Sequence, residues 1–178
     1  MTEQFLIAGF GGQGVLFAGK QLAKTAMYKD LQVSWLPSYG PEMRGGAANC
    51  SVIISDKEIG SPIVTAPTVL IAFNLPSFEK FEPSLQSGGL LIADSSLIEK
   101  RSSRKDLRTC YIPATAIASD NELHGGANVI MLGKLLNLTS IFKFEEFEEL
   151  MIAGIPASKE QLIANNKKAL RLGYDWKE

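Results

Sequence analysis

Phe5-Leu6-Ile7-Ala8-Gly9-Phe10-Gly11-Gly12-Gln13-Gly14, followed at once by the segment Val15 to Tyr28, decides how the chain begins to fold. The apolar run Phe5 to Ala8 has the length and density of a buried strand, and it runs straight into clustered glycines that break regular structure. Beyond them apolar residues recur at helical spacing as far as Tyr28. Strand, tight turn and helix follow. Leu31-Gln32-Val33-Ser34-Trp35-Leu36 then alternates apolar and polar residues before Pro37, which predicts a second strand that the proline stops. The opening is therefore a βαβ unit.

Working outward, Ala47 to Ile54 is small, β-branched and apolar, and Ser55-Asp56-Lys57 separates it from the short Glu58-Ile59. That pattern predicts a hairpin, which makes the sheet mixed. Thr68 to Phe73 and Gly89 to Ala93 are continuous in apolar character, as buried parallel strands tend to be. Between them Pro76 to Phe81 begins a short helix that Pro83 ends. A strand at Thr109 to Ile112 precedes a helix opened by Pro113, and Asn128 to Leu138 is a mostly apolar, buried helix. Phe144 to Ile152 is amphipathic, with Phe144, Phe147, Leu150 and Met151 on one side. Ser158 and Gln161 have the spacing of a capping box for a last helix that runs to about Leu172. No repeat, linker or low-complexity stretch divides the chain. The expectation is one domain over residues 1–178, a three-layer α/β/α Rossmann-like fold with a mostly parallel, mixed sheet that includes a hairpin.

Composition agrees with that and narrows the function classes. A chain of 178 residues is about one domain long. With 46% hydrophobic and 21% charged residues it has enough apolar surface for a core, which excludes wholesale disorder. Eighteen basic against nineteen acidic residues leave a net charge of -1, with no extended basic block to follow a phosphate backbone, so nucleic acid is not an expected partner. Met1-Thr2-Glu3-Gln4 lacks the positive segment of an export signal, and no run approaches the roughly 18 apolar residues that cross a bilayer. Cys50 and Cys110 lie far apart, without the spacing that holds zinc or an iron-sulfur cluster. Reduced thiols in a cytoplasmic protein are expected, with a disulfide as the alternative.

Gly9-Phe10-Gly11-Gly12-Gln13-Gly14 fits G-x-G-x-x-G between a strand and a helix. Two readings of it stand side by side. Gly9, Gly11, Gly12, Gln13 and Gly14 can cradle a phosphate, because glycine lets the ligand approach and the first N–H groups of a helix have no helical acceptor. The same glycines can serve only to pack the first helix closely on the sheet. A dinucleotide site also needs an acidic side chain about 20 residues on, to hold ribose hydroxyls. Val33-Ser34-Trp35-Leu36-Pro37 has none, which weighs against nicotinamide or flavin dinucleotides.

The second unusual loop is Pro37-Ser38-Tyr39-Gly40-Pro41-Glu42-Met43-Arg44-Gly45-Gly46. Stiffened by proline, it offers Ser38, Tyr39, Gly40, Glu42, Arg44, Gly45 and Gly46 as a rim for a partner or a substrate channel. Arg44 has the planar fork that grips a carboxylate or phosphate, and Tyr39 can stack or cap an apolar pocket. Glu42 and Arg44 can equally solvate a turn while Tyr39 packs. In a mainly parallel sheet Gly11, Tyr39, Asn74 and Asp94 all fall at carboxyl ends of strands, the edge where ligands of α/β proteins bind. Elsewhere the chemistry is thin. His124, the only histidine, sits beside Gly125-Gly126 as a turn or helix-end residue, so a catalytic role is disfavoured. Cys50 and Cys110 fall in strands and are expected to be buried, Asp94-Ser95-Ser96 looks like a strand-to-helix cap, and Glu145, Glu146, Glu148 and Glu149 form the wet face of a helix. No pair of groups makes an independent catalytic apparatus.

Around these two loops the sequence resembles the gamma subunit of 2-oxoacid:ferredoxin oxidoreductases, called domain III in the single-chain pyruvate enzymes. The resemblance is carried by G-F-G-G-Q-G at 9 to 14, S-Y-G-P-E-M-R-G-G at 38 to 46, the following A-N-C-S-V-I-I-S-D-K-E-I, Pro62, and N-V-I-M-L-G at 128 to 133, together spanning most of the chain. One departure is Asn121-Glu122-Leu123-His124-Gly125-Gly126-Ala127, a more glycine-rich approach to the helix than related chains often carry. The resemblance implies a complex that oxidatively decarboxylates a 2-oxoacid with coenzyme A, giving acyl-CoA, carbon dioxide and reduced ferredoxin. It further implies that thiamine diphosphate, Mg2+ and the iron-sulfur clusters lie on other subunits. Alpha and beta subunits, a ferredoxin-like delta subunit and ferredoxin itself are the implied partners, and a homodimer is a further possibility. The form of the second loop is most similar to 2-oxoglutarate-using members. In that setting the chain shapes the site or coenzyme A channel. The alternatives are a free-standing Rossmann-like nucleotide-binding oxidoreductase and a purely structural assembly subunit.

Overall fold

The computed structural model of the chain describes residues 1–40 and 45–178. Glu42 and Arg44, two of the expected rim residues, lie outside the described residues. Six strands form one sheet: β1 (Thr2–Phe10), β2 (Gln32–Tyr39), β3 (Ala47–Ser55), β4 (Val69–Ala72), β5 (Leu90–Asp94) and β6 (Arg108–Ile112). The helices are α1 (Val15–Tyr28), α2 (Leu75–Phe81), α3 (Ala114–Asp120), α4 (Ala127–Thr139), α5 (Phe144–Ile152) and α6 (Glu160–Asp175), with a 3₁₀ turn at Glu82–Ser84. The strand order is β2-β3-β1-β4-β5-β6. β1 pairs in parallel with β4, β4 with β5 and β5 with β6, while β3 is antiparallel to both β1 and β2. All strands but β3 therefore point one way, giving the expected mixed, mostly parallel sheet.

The sheet divides the core because successive side chains of a strand point to opposite faces. Phe5 and Ile7 join Leu22 of α1, Leu132 and Leu135 of α4, Phe147 of α5 and Leu170 of α6 on one side. Leu6 joins Leu70, Leu91, Phe78 of α2 and Ile98 on the other, a thinner layer made of α2, the 3₁₀ turn and the segment before β6. α4 is buried on every side from Asn128 to Leu136, which explains why it is apolar all round. It meets α6 backbone to backbone: a Cβ on Gly173 would run into the Ile130 carbonyl, and one on Gly133 into that of Leu170.

Three local expectations are corrected. The hairpin joins β2 to β3, in register from Gln32↔Ser55 to Tyr39↔Ala48, and Glu58-Ile59 is no strand. Both edges of β3 are already taken, by β1 and β2, so nothing is left for a third partner. Pro37 does not stop β2, which continues to Tyr39. β2 is the sheet's outer strand, where a residue without an N–H is tolerated. The capping box does not form: α6 starts one residue after Lys159 without a side-chain cap, and Gln161 Nε2 instead donates to Asn165 Oδ1 at 2.7 Å. That helix also runs to Asp175, beyond the expected end at Leu172.

Candidate functional site

Because β1, β2, β4 and β5 share a direction, their carboxyl ends bring Gly11, Tyr39, Asn74 and Asp94 to one edge, as the strand pattern requires. β1 is also where the connections change side, since α1 carries the chain to β2 on one side and the chain later leaves β3 for β4 on the other. Such a switch point leaves a crevice. β3 stands between β1 and β2, so the end of β2 lies two strand spacings, roughly 10 Å, from the glycine loop. A side chain there is badly placed to hold a ribose bound over β1.

Gln13 organises the glycine loop. Its Oε1 accepts from the Phe10 N–H at 2.6 Å and from Asn74 Nδ2 at 3.2 Å, while its Nε2 donates to the Phe73 carbonyl at 3.3 Å. The Gln13 N–H turns back to the Phe10 carbonyl at 3.1 Å. One side chain thus ties the end of β1 to the end of β4. Gly9 must be glycine for this, since a Cβ would sit 2.6 Å from that Oε1. Gly14, with φ 76°, is in the left-handed region and lies directly beneath the Asn128 side chain, whose Nδ2 donates to its carbonyl at 3.4 Å. Glycine is needed there both for the angle and for the space.

The two loops are joined by backbone. The Gly11 N–H donates to the Gly46 carbonyl at 2.8 Å, and the Gly45 N–H to the Gly11 carbonyl at 3.3 Å; Gly40 N–H reaches Ala47 O at 3.4 Å. Phe10, Gly11 and Gln13 thus spend their N–H groups inside the protein. Gly12 lies at φ 103° with open space around its α-carbon, and the first turn of α1 has no side-chain cap from Gly14. Asn74 is buried and caps α2 by accepting from the Ser77 N–H at 2.9 Å, so it supports the rim from within. Ser38 and Tyr39 are exposed at the end of β2.

Two clefts flank the loop. One of 300 Å³ lies over the switch point, between Gly12, Gln13, Phe73, Thr115, Ser119 and His124. The other, of 270 Å³, lies between Phe10, Gly12, Gly14, Phe17, Tyr39 and Ala48. Thr115 and Ser119, far along the chain, carried no local signal, and Asn128 was marked only as the start of N-V-I-M-L-G; the fold brings all three to the loop. Asp94 has no exposed surface, and its carboxylate accepts from the Thr115 N–H at 3.1 Å, from Thr115 Oγ1 and from the Ser96 N–H at 3.0 Å. It caps α3, which is the cap role expected of it, at a more distant helix. His124 stands exposed in a turn between Glu122 (φ 57°) and Gly125 (φ 73°).

Burial pushes the Cys50 thiol up to about 12 and the Cys110 thiol to about 11, so neither is a thiolate near neutral pH. Among the described residues no group of three or more His, Cys, Asp or Glu side chains comes together as a metal site. Nor is any helix among them long and apolar enough to cross a membrane. The described residues of the site can shape and cover a ligand.

Known proteins share both the sequence pattern and the fold of this chain. The chain is 40% identical over 170 residues to the ketoisovalerate oxidoreductase subunit VorA of Methanothermobacter marburgensis, covering 96% of the chain but only 35% of VorA. It thus spans about a third of the length of that relative. It is 34% identical over 178 residues to the 2-oxoglutarate synthase subunit KorC of Methanocaldococcus jannaschii, covering 98% of the chain and 94% of KorC. Among solved structures it superposes on the keto/oxoacid ferredoxin oxidoreductase gamma subunit of Geobacter sulfurreducens with a TM-score of 0.80 at 30% identity, covering 97% and 96% of the two chains. A profile described as pyruvate ferredoxin/flavodoxin oxidoreductase matches residues 4–176, and the chain belongs to that family.

Proposed function

We propose that this chain is the gamma subunit of a multi-subunit 2-oxoacid:ferredoxin oxidoreductase, with 2-oxoglutarate as the substrate. The complex would carry out coenzyme A-dependent oxidative decarboxylation, and this chain would wall the site or coenzyme A channel through its two joined loops. The observation that carries this reading is the tie from Gln13 to Phe10, Phe73 and Asn74: a rim fixed from within, beside the clefts that flank the glycine loop. A rim of that kind acts by positioning ligand and excluding water. The near full-length match to KorC supports a subunit of this size and the 2-oxoglutarate choice, while the match to VorA keeps ketoisovalerate as the competing substrate. VorA also supports the partner assignment. It is described as a subunit, as KorC is, and that supports companion polypeptides, the alpha and beta subunits here.

The glycine loop would approach a phosphate-bearing ligand at the open Gly12 and the first turn of α1, whose N–H groups have no helical acceptor. Thiamine diphosphate, Mg2+ and the iron-sulfur clusters would sit on the companions, in a cytoplasmic assembly that passes electrons to ferredoxin. Reconstitution tests this. The companions alone should show no 2-oxoacid-dependent reduction of an electron acceptor, and adding this chain should restore it, fastest with 2-oxoglutarate in a panel with pyruvate and ketoisovalerate. Companions that turn over equally well without the chain would overturn the reading. Full activity of an assembled complex carrying Tyr39→Ala would instead favour pure scaffolding.

A further inference from the structure

More than half of the exposed large apolar side chains among the described residues sit on α1, on β2 or at the end of β1. Leu36 points to the opposite face of β2, and the others line one flank. Phe17, Lys20, Lys24 and the Met27-Tyr28 pair recur at helical spacing down one flank of α1, while Val33, Trp35 and Tyr39 share the adjoining face of β2. The groove between the two elements is lined by Lys20, Ala23, Lys24, Met27, Tyr28, Val33 and Trp35. At its other end the cleft between Phe17 and Tyr39 opens onto Gly11 and Gly12. Met27 is 66% and Tyr28 74% exposed, a degree of exposure that isolated surface residues reach singly but rarely side by side with Trp35 and Phe17.

We propose that this α1–β2 flank is the seat of the companion polypeptide, and that the companion presents an apolar segment bordered by carboxylates. The inference rests on the subunit reading given above. Two observations choose this occupant over a second copy of the chain. The groove is rimmed by Lys20 and Lys24 with no carboxylate among its lining residues. Lys24 Nζ donates to the Leu150 carbonyl at 3.0 Å and keeps its charge. A two-fold contact covering the whole flank, with α1 antiparallel to its copy, would set Lys20 and Lys24 against their counterparts, with the nearest carboxylates, Asp30, Glu146 and Glu149, only at the Tyr28 end. A companion with carboxylates meets them favourably. The sheet edge itself is not the docking element, because Pro37 interrupts the donors of outer strand β2 and so blunts strand addition. The flank leads from Met27 to the glycine loop, so a chain seated along it reaches the rim.

Binding of the purified chain to the alpha and beta subunits of the complex from the same source, followed by interferometry, tests the proposal. Met27→Asp and Lys20→Glu alter exposed side chains only, and their thermal melts should match the parent. Each should weaken binding by roughly tenfold or more, and Lys105→Glu, on the segment before β6, should not. Parent-like binding by both flank variants, with the unmodified chain binding well, would overturn the docking face while leaving the subunit reading intact. An unmodified chain that binds neither companion would overturn the subunit reading, and this proposal with it. Sedimentation showing a dimer that Met27→Asp dissociates would assign the flank to a second copy and overturn the proposal.

Discussion

Single residues carry the rim. Gln13 alone satisfies the Phe10 N–H, the Asn74 amide and the Phe73 carbonyl, so Gln13→Ala should leave buried or half-buried polar groups unpaired and cost about 1–3 kcal/mol in urea unfolding. Asn74 then loses its tie to the glycine loop, and the reconstituted complex should slow down; unchanged stability together with unchanged turnover would contradict the keystone role. Cys50 makes a pH test possible. Its thiol is held neutral up to about 12, against 9.0 for an ordinary cysteine, because burial penalises the thiolate. With the folded value raised, that stabilisation is whole below pH 9.0 and drains away as pH rises from there through about 12. Urea midpoints should therefore fall more steeply over that range for the parent than for Cys50→Ala, and parallel slopes would sink the idea. The presence of Gly9 and Gly14 was legible in G-x-G-x-x-G, but their reason was not. Gly9 is required by the Gln13 side chain and Gly14 by Asn128, 114 positions away, and such a contact leaves no mark on local sequence.

At the scale of elements, periodicity and apolar density located the strands and helices that touch the site, although β1 begins three residues before the expected Phe5 and β2 ends three after the expected Leu36. Burial makes those patterns, so they are visible without the partners. Pairing was harder to see. β3 has apolar residues suited to two neighbours, and nothing local says that β1 and β2 take both edges, which is why Glu58-Ile59 looked available. Pro37 looked like a stop because a proline inside a sheet costs a hydrogen bond, and that cost vanishes on the outer strand. Ser158 and Gln161 had the right spacing for a cap, but Gln161 found Asn165 one turn on. Asp94 is the instructive opposite: it looked like a cap and is one, for α3. Asp94→Ala should strand the Thr115 and Ser96 donors and cost about 1–3 kcal/mol, with α3 shifting at the wall of the His124 cleft. Urea unfolding measures the first effect, and an unchanged midpoint would show that water replaces the cap.

For the whole molecule, we propose that residues 1–178 behave as one domain, since one sheet joins both apolar clusters. The two tryptophans report on distant parts of it, Trp35 on outer strand β2 and Trp176 against Lys134 of α4, whose Nζ donates to its carbonyl at 2.9 Å. Trp35→Phe and Trp176→Phe, each followed through the tryptophan that is left, should unfold with one midpoint after correction for the substitution; two separated transitions would divide the chain. The amino-acid sequence by itself determined the elements, the α/β class and the edge on which the loops gather, because hydrophobic period, glycine and proline act over a few residues. Tertiary structure alone decided which strands are neighbours, that the glycine loop spends Phe10, Gly11 and Gln13 N–H groups on its own protein, and that Thr115, Ser119 and Asn128 stand beside it. Those outcomes depend on contacts between residues far apart in the chain, and their energies exist only once the sheet has closed around its core.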